Sequence, residues 1–386
     1  TLALSATTSR APGDLSVTFL GRRLPDASPD YKIALLPDTQ YYTNSHHGGA
    51  PEMLASQMKW LAQNAKKLGV AFALHLGDIT DTGDAAEDEW KVASEQGLYL
   101  LEDPALTGLP EGLPYSPAVG NHDQRHQAAP GKIAWDGPGA LYEKYFGVAH
   151  FKNKSYYGGH LGKTNHNHYM LFDAGTDKYI VISLQFGFPK KNPDALAWAS
   201  ALLDRHPDRR AILVTHGALL PGLQGNFLPD GQAAYDALKK HPNLMLIVGG
   251  HVTGEGHRAD TFEDRVVHSI LMDFQHDDTA GVENGGNGFL GILTLSPRRN
   301  TIRVQTYSPY TNTWRTDPAA DYTLDHDFGA KIEPFQKLAT TTAAAGATAT
   351  FRWENLKPDA ACEWRAEISD GKKSTLTEPQ LFQTSR

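Results

Sequence analysis

A chain of 386 residues with 40% hydrophobic and 21% charged side chains is long enough for one large α/β core plus a small module, or for two domains. Its net charge of −8, with no basic stripe, argues against a nucleic-acid polymer as the main partner, and no apolar run approaches the ~20 residues of a membrane span. The single cysteine, Cys362, excludes an internal disulfide and a thiolate metal site, and leaves the redox compartment open.

Residues 1–30 are rich in Ser, Thr and Pro, with one expected strand at 16–20. The small polar residues from Thr1 onward resemble the start of a mature exported protein, so a secreted or periplasmic location is the expectation. From residue 31 the pattern becomes regular. A strand at 33–36 runs into Asp38. A helix then opens on Pro51, places Leu54, Met58, Leu61, Ala65 and Leu68 on one face, and stops before Gly69. A strand at 70–76 runs into Asp78, and a second helix over about 85–101 opens on acidic residues, as the helix dipole favours. The apolar run 116–119 ends in Gly120-Asn121-His122-Asp123.

Residues 124–165 show no period and hold many glycines and aromatics. They read as an insertion over the active site, with a packed surface loop as the other reading. Beyond them come a hairpin (167–173, 179–185), a helix (193–205), a strand (211–214), a helix (231–240) and a strand (244–248). Strands at 266–273, 289–295 and 301–307 close the pattern. Two sheets, each covered by helices, accommodate this order. The composition shifts after about Asp327: residues 338–350 are nearly all Thr and Ala, and 351–384 alternate as β-structure does. Three parts follow: an N-terminal extension (1–30), a main domain (31–327) and a small β module (328–386).

Five apolar runs end in a residue able to bind a metal: Asp38 with Gln40, Asp78, Asn121, His216 and His251. Parallel strands place ligands at their C-terminal edges, so these residues are expected to converge. The set offers oxygens and imidazoles. It suits two divalent metals with one bridging carboxylate, which polarise a phosphoryl group and activate a water for in-line attack. A protonated histidine then assists the leaving oxygen. His46, His47 and His126 lie near these loops and are candidates to line the substrate approach, while His75 is expected to pack in its strand. Asp123 and Arg125 are close enough to touch substrate, and Arg125 suits a phosphate. Asp273-Phe274-Gln275 follows a strand and precedes an acidic, Gly-rich loop, so it is expected to border the pocket.

In this order, the motifs resemble those of the calcineurin-like metallophosphoesterase superfamily over about residues 31–310. The resemblance implies an αββα four-layer sandwich of two mixed sheets flanked by helices, and a binuclear centre. It implies that Asp38 and Gln40 hold the first metal, that Asp78 bridges, and that Asn121, His216 and His251 hold the second. His122 is then the catalytic histidine and Asp81 the carboxylate that orients it. The ions are Mn, Fe or Zn, and the activity is phosphatase or phosphodiesterase. A small or lipid-like phosphate ester suits this acidic chain with its aromatic insertion better than DNA.

Two positions depart from the family pattern. Gln40 stands where a histidine is usual, and Thr253 replaces the last histidine of the Gly-His-x-His motif. The first site thereby loses both imidazoles, becomes oxygen-rich and favours hard ions. It is open to weak occupancy, unless His257 turns back to fill the gap. The same departures leave a second reading: a non-catalytic extracellular binding protein on a decayed phosphoesterase core. The segment around Asn355-Leu356-Lys357-Pro358, Cys362-Glu363-Trp364 and Phe382-Gln383-Thr384 is similar to the later strands of a fibronectin type III domain. It is shorter than the ~100 residues of such sandwiches, so a partial sandwich completed by residues 1–30 is expected.

Overall fold

The computed structural model describes residues 2–8, 13–276 and 285–385. The chain divides into two compact units, one of residues 30–295 with 301–326, the other of residues 1–29, 296–300 and 327–386.

The larger unit is an α/β sandwich of two mixed sheets. In the first sheet, Tyr31–Leu36, Val70–His75 and Tyr115–Pro117 run parallel, and Leu290–Ser296 lies antiparallel against Tyr31–Leu36. Thr301–Ser308 continues that edge. In the second sheet, Asp177–Leu184, Arg210–Thr215, Leu244–Gly249 and Arg265–Asp273 run parallel, flanked by the antiparallel strands His168–Ala174 and Gly254–Phe262. The central strands are buried on both faces, so they read as unbroken apolar runs rather than alternating ones. Between the sheets Phe72 stacks on Phe172 with centroids 4.5 Å apart, and the Tyr31 and Tyr179 hydroxyls meet at 2.6 Å.

Helices cover the outer faces. Pro51–Leu68 buries Met53, Leu54, Met58, Leu61 and Ala65, begins with Pro at its first turn, and ends where Gly69 adopts φ 67°. Ala195–Arg205 and Pro229–Leu238 pack Ala199, Leu202, Leu203, Ala234 and Leu238 onto the second sheet. The single helix expected over 85–101 is broken into a short helix Glu87–Lys91, a wider turn Val92–Gly97 and a tighter one, Leu98–Glu102. Gly97, at φ −114° and ψ −115°, interrupts the helical dihedrals, and a β-carbon there would press on Leu54 at 2.9 Å.

The stretch 124–165 divides between its two readings. Its first part is a hairpin, His126–Ala129 with Lys132–Ala134, leading to Trp135 beside His122. Its second part is packed: Tyr142, Phe146 and Phe151, carried by helices Ala140–Phe146 and Val148–Phe151, are fully buried.

Residues 1–29, expected as an N-terminal extension that completes the C-terminal module, fall in one unit with 296–300 and 327–386. Asp14–Arg23 lies between Gln336–Ala344 and Ala361–Ser369, antiparallel to both, and Leu2–Thr7 pairs with Thr348–Trp353. Val17 and Phe19, both fully buried, join Ala343, Ala349 and Ala366 in this unit's core. The short Ser16–Leu20 pattern became a ten-residue strand because both its edges are paired. No helix among the described residues is long and apolar enough to cross a membrane.

Candidate metal centre

Three of the strand ends that deliver a candidate ligand bend sharply there. Asp38, Asp78 and His251 adopt φ of 30°, 51° and 79°, a region that non-glycine residues rarely occupy and that marks stored strain. Glycines make room around them. A β-carbon at Gly120 would overlap Asp78 Oδ1, one at Gly250 would overlap Asp38 Oδ2, and one at Gly77 would press on His216 Nδ1. The Gly-x pairs in the sequence are therefore close approaches of backbone to ligand.

At the centre, His216 Nδ1 donates to the Leu76 carbonyl at 3.0 Å, which turns Nε2 inward as a lone-pair donor. Nε2 lies 3.1 Å from Asp78 Oδ2 and 3.8 Å from Asp38 Oδ1 without an aligned hydrogen bond. One ligand atom each of Asp78, His216 and His251 falls within 4.8 Å of the others. Asp38 accepts the His251 backbone N–H at 3.2 Å, and Asp78 Oδ1 accepts that of His122 at 2.8 Å.

The donor set fits cations. Asp38, Asp78, Asp123 and Asp273 are all buried, and among the described residues no lysine or arginine pairs with any of them. Burial, Asp273 and Asp78 push the Asp38 carboxyl well above the usual range; burial and Asp78 push Asp273 to about 7. Asp78 is the exception: burial opposes its ionisation, but His216 and His122 hold it at about 2. Three of the candidate ligand atoms are buried without a hydrogen bond: Gln40 Oε1, Asn121 Oδ1 and His216 Nε2. Such groups are costly to bury unless something binds them, and divalent ions held here would satisfy them.

Beside this cluster, His122 Nδ1 lies 2.7 Å from Asp81 Oδ1 and 3.0 Å from the Asp81 carbonyl. Burial works against the imidazolium, but Asp81 and Asp78 outweigh it and raise His122 to about 9. Asp81 is a hub: Asn44 Nδ2 donates to Oδ2 at 2.7 Å, His46 Nδ1 lies at 3.2 Å, and Arg125 Nη1 is 3.6 Å from Oδ1. Glu89 fixes the loop by accepting the Asp81 and Thr82 amides, each at 2.9 Å.

A sequence model of calcineurin-like phosphoesterases matches residues 31–254. The chain belongs to the calcineurin-like phosphoesterase family. It is 30% identical over 384 residues to the uncharacterised protein YvnB of Bacillus subtilis, covering 92% of this chain but 27% of that protein, so it spans about a quarter of the relative's length. Among solved structures, it is similar to a dimetal phosphatase from Danio rerio (11% identity, TM-score 0.48, covering 78% of this chain and 100% of that one). It is also similar to the calcineurin-like phosphoesterase YfkN of Bacillus subtilis (14% identity, TM-score 0.36, covering 81% and 91%).

Against the family pattern, Asp38, Gln40, Asp78, Asn121, His216 and His251 are carried by neighbouring strand ends, with His122 and Asp81 alongside. Two expectations change, and that for His75 holds. Asp123 does not face substrate: it is fully buried, and its carboxylate accepts the Thr80 amide at 3.0 Å and the Gly120 amide at 2.9 Å, tying two ligand loops together. His257 does not replace Thr253: its ring stacks on Tyr322 at 4.2 Å, on a strand that carries it opposite Ile270. His75 is fully buried, its Nε2 donating to Thr39 Oγ1 at 2.9 Å, and burial holds it down at about 3. His46 reaches Asp81 from an exposed position, whereas His126 lines a hollow of about 260 Å³ with Thr82, Arg125, Lys132 and Ile133. His47 packs on Tyr41 and His276.

Sequence reasoning gave little weight to Asp273 and Gln275 and missed Trp135 and Phe186. Asp273 ends the buried run Ile270-Leu271-Met272, the same signal as the other ligands, and its strand is parallel to Leu244–Gly249. Trp135 lies 4.9 Å from the His122 ring and Phe186 4.8 Å from that of His251. Nothing in the local sequence marks either, because their partners are distant along the chain. The acidic loop expected next to Gln275, residues 277–284, lies outside the described residues.

Proposed function

We propose that this chain hydrolyses a mono- or diester of phosphate with a small or lipid-like organic alcohol. Two divalent cations would be held by Asp38, Gln40, Asp78, Asn121, His216 and His251. The observation that carries the reading is the buried carboxylate cluster without Lys or Arg partners, joined by three buried ligand atoms without hydrogen bonds. When bound, the cations polarise the phosphoryl oxygens and lower the pKa of a water. The ion pair with Asp81 keeps the His122 imidazole charged and oriented, with Nδ1 engaged and Nε2 left to give its proton to the leaving oxygen. Arg125, held against Asp81, supplies a cation for a phosphate oxygen. Trp135 and Phe186 give the approach two aromatic walls, which suit an organic leaving group better than a polynucleotide.

The test is metal content by elemental analysis after reconstitution, combined with a screen of phosphate mono- and diesters. Two metals per chain and hydrolysis of an ester are expected. His122→Ala should keep the metals and lose turnover by about 10²- to 10⁴-fold; retained turnover removes His122 from its role. Thr253, with His257 placed elsewhere, favours one alternative, a binding protein on a decayed core. It requires less than one metal per chain and no hydrolysis. The likeness of the smaller unit to a fibronectin type III domain rests on the sequence at 355–384 alone.

A further inference from the structure

The Gln40 amide has two ends, and only the oxygen end can bind a cation. Which end is left without a protein partner is decided by Gln275 and Asp273. Asp273 Oδ1 accepts the backbone N–H of Gln275 at 2.9 Å, and Asp273 Oδ2 accepts Gln275 Nε2 at 2.9 Å. With its NH₂ group engaged, Gln275 turns Oε1 towards Gln40, and an amide oxygen only accepts. Gln40 must answer with Nε2, which donates to Gln275 Oε1 and, at 3.4 Å, to Asp78 Oδ2. Its own Oε1 is left as a buried acceptor with no hydrogen bond, in a side chain with no exposure. The register adds a reason for Asp273 to stand here. Gly254 pairs with Asp273, so the relay begins next to Thr253, where the family's last histidine is absent.

We propose that Asp273 and Gln275 are positioning residues that set the polarity of Gln40, so that its oxygen rather than its nitrogen serves the first metal site. This rests on the two-metal reading above. On that reading the first site would offer a cation oxygen ligands alone, in the absence of both imidazoles.

The experiment uses the full chain reconstituted with Mn²⁺ and freed of excess ion, with metal per chain read by elemental analysis and affinity by calorimetry. In Asp273→Asn, the new Nδ2 donates to Gln275, which must flip. Gln40 then flips too and turns its nitrogen to the site. Gln275→Met breaks the relay in the middle. Each variant should fall from two metals to one, with first-site affinity lowered about 10- to 100-fold. Near-UV circular dichroism and the urea midpoint of the metal-free form report whether each variant folds. Adding Gln40→Glu to either variant should restore two metals, because a carboxylate presents oxygen at both ends. Two tightly held metals in both single variants overturn the proposal and leave the two-metal reading intact. Loss without recovery in the double variants also overturns it, since the residues then act by packing or as ligands. A wild-type chain that holds no metal overturns the reading itself.

Discussion

Asp38 and Asp78 each lie against a glycine, Gly250 and Gly120, that leaves room for the carboxylate. Because a β-carbon at Gly120 would overlap Asp78 Oδ1, Gly120→Ala must move the carboxylate or the loop. Overpacking of this kind costs about 1–3 kcal/mol. Gly120→Ala should therefore lower the urea midpoint and weaken metal binding together. An alanine variant with unchanged metal affinity would show that the close approach is not needed. The positive φ at Asp38, Asp78 and His251 belongs to the same design, since strain there persists only where the surroundings hold it. These features were half legible. The Gly-Asp, Gly-Asn and Gly-His pairs are visible in the sequence, but which carboxylate each glycine accommodates depends on a neighbour in another loop.

Among the elements, the broken helical stretch 87–102 ends in Glu102, whose Oε1 lies 2.6 Å from His150 Nε2 and accepts from Tyr115 Oη at 2.7 Å, and whose Oε2 pairs with Lys154. Burial opposes its charge, yet these bonds bring its pKa from 4.5 to about 2. A lowered folded-state value stabilises the fold above the unfolded value, and that stability is lost as pH falls from about 4.5 towards 2. Glu102→Gln should thus cost on the order of 2 kcal/mol at pH 7, discounted for partial exposure, and clearly less at pH 3. Equal costs in urea unfolding at both pH values would contradict this. The hairpin His126–Ala134 makes a second prediction. Its outgoing strand sets Trp135 against His122, with Lys191 Nζ donating to the Trp135 carbonyl at 3.0 Å. Trp135→Ala should raise KM by about 3- to 10-fold for esters with bulky leaving groups, with kcat changed less. Equal KM for wild type and variant would remove Trp135 from the approach.

For the whole molecule, the first strand pattern belongs with the last. Asp14–Arg23 is central in a sheet whose other members lie beyond residue 335, and its Phe19 is fully buried among them. Deleting residues 1–29 should therefore strip protection from Gln336–Ala344 and Ala361–Ser369, read by amide exchange or limited proteolysis. Unchanged protection would mean that the C-terminal strands are stable by themselves. The sequence showed strands at both ends, and their union was an expectation that only pairing could define. Such long-range closure carries no local signal, because register depends on which edges remain open after the core has formed.

By itself, the sequence determined most of the elements and the kinds of side chain at their ends. Apolar runs ending in Asp, Asn and His, the periodic face of Pro51–Leu68 and its terminal Gly69 need only local physics. What only the tertiary structure decided is which of those side chains are spoken for. It withdrew Asp123 into the backbone, sent His257 to Tyr322 and joined Asp273, Gln275 and Gln40 into one relay. A side chain's role depends on what lies across from it in space. Two aspartates of equal local sequence logic, Asp78 and Asp123, are told apart only by the partners the fold brings to each.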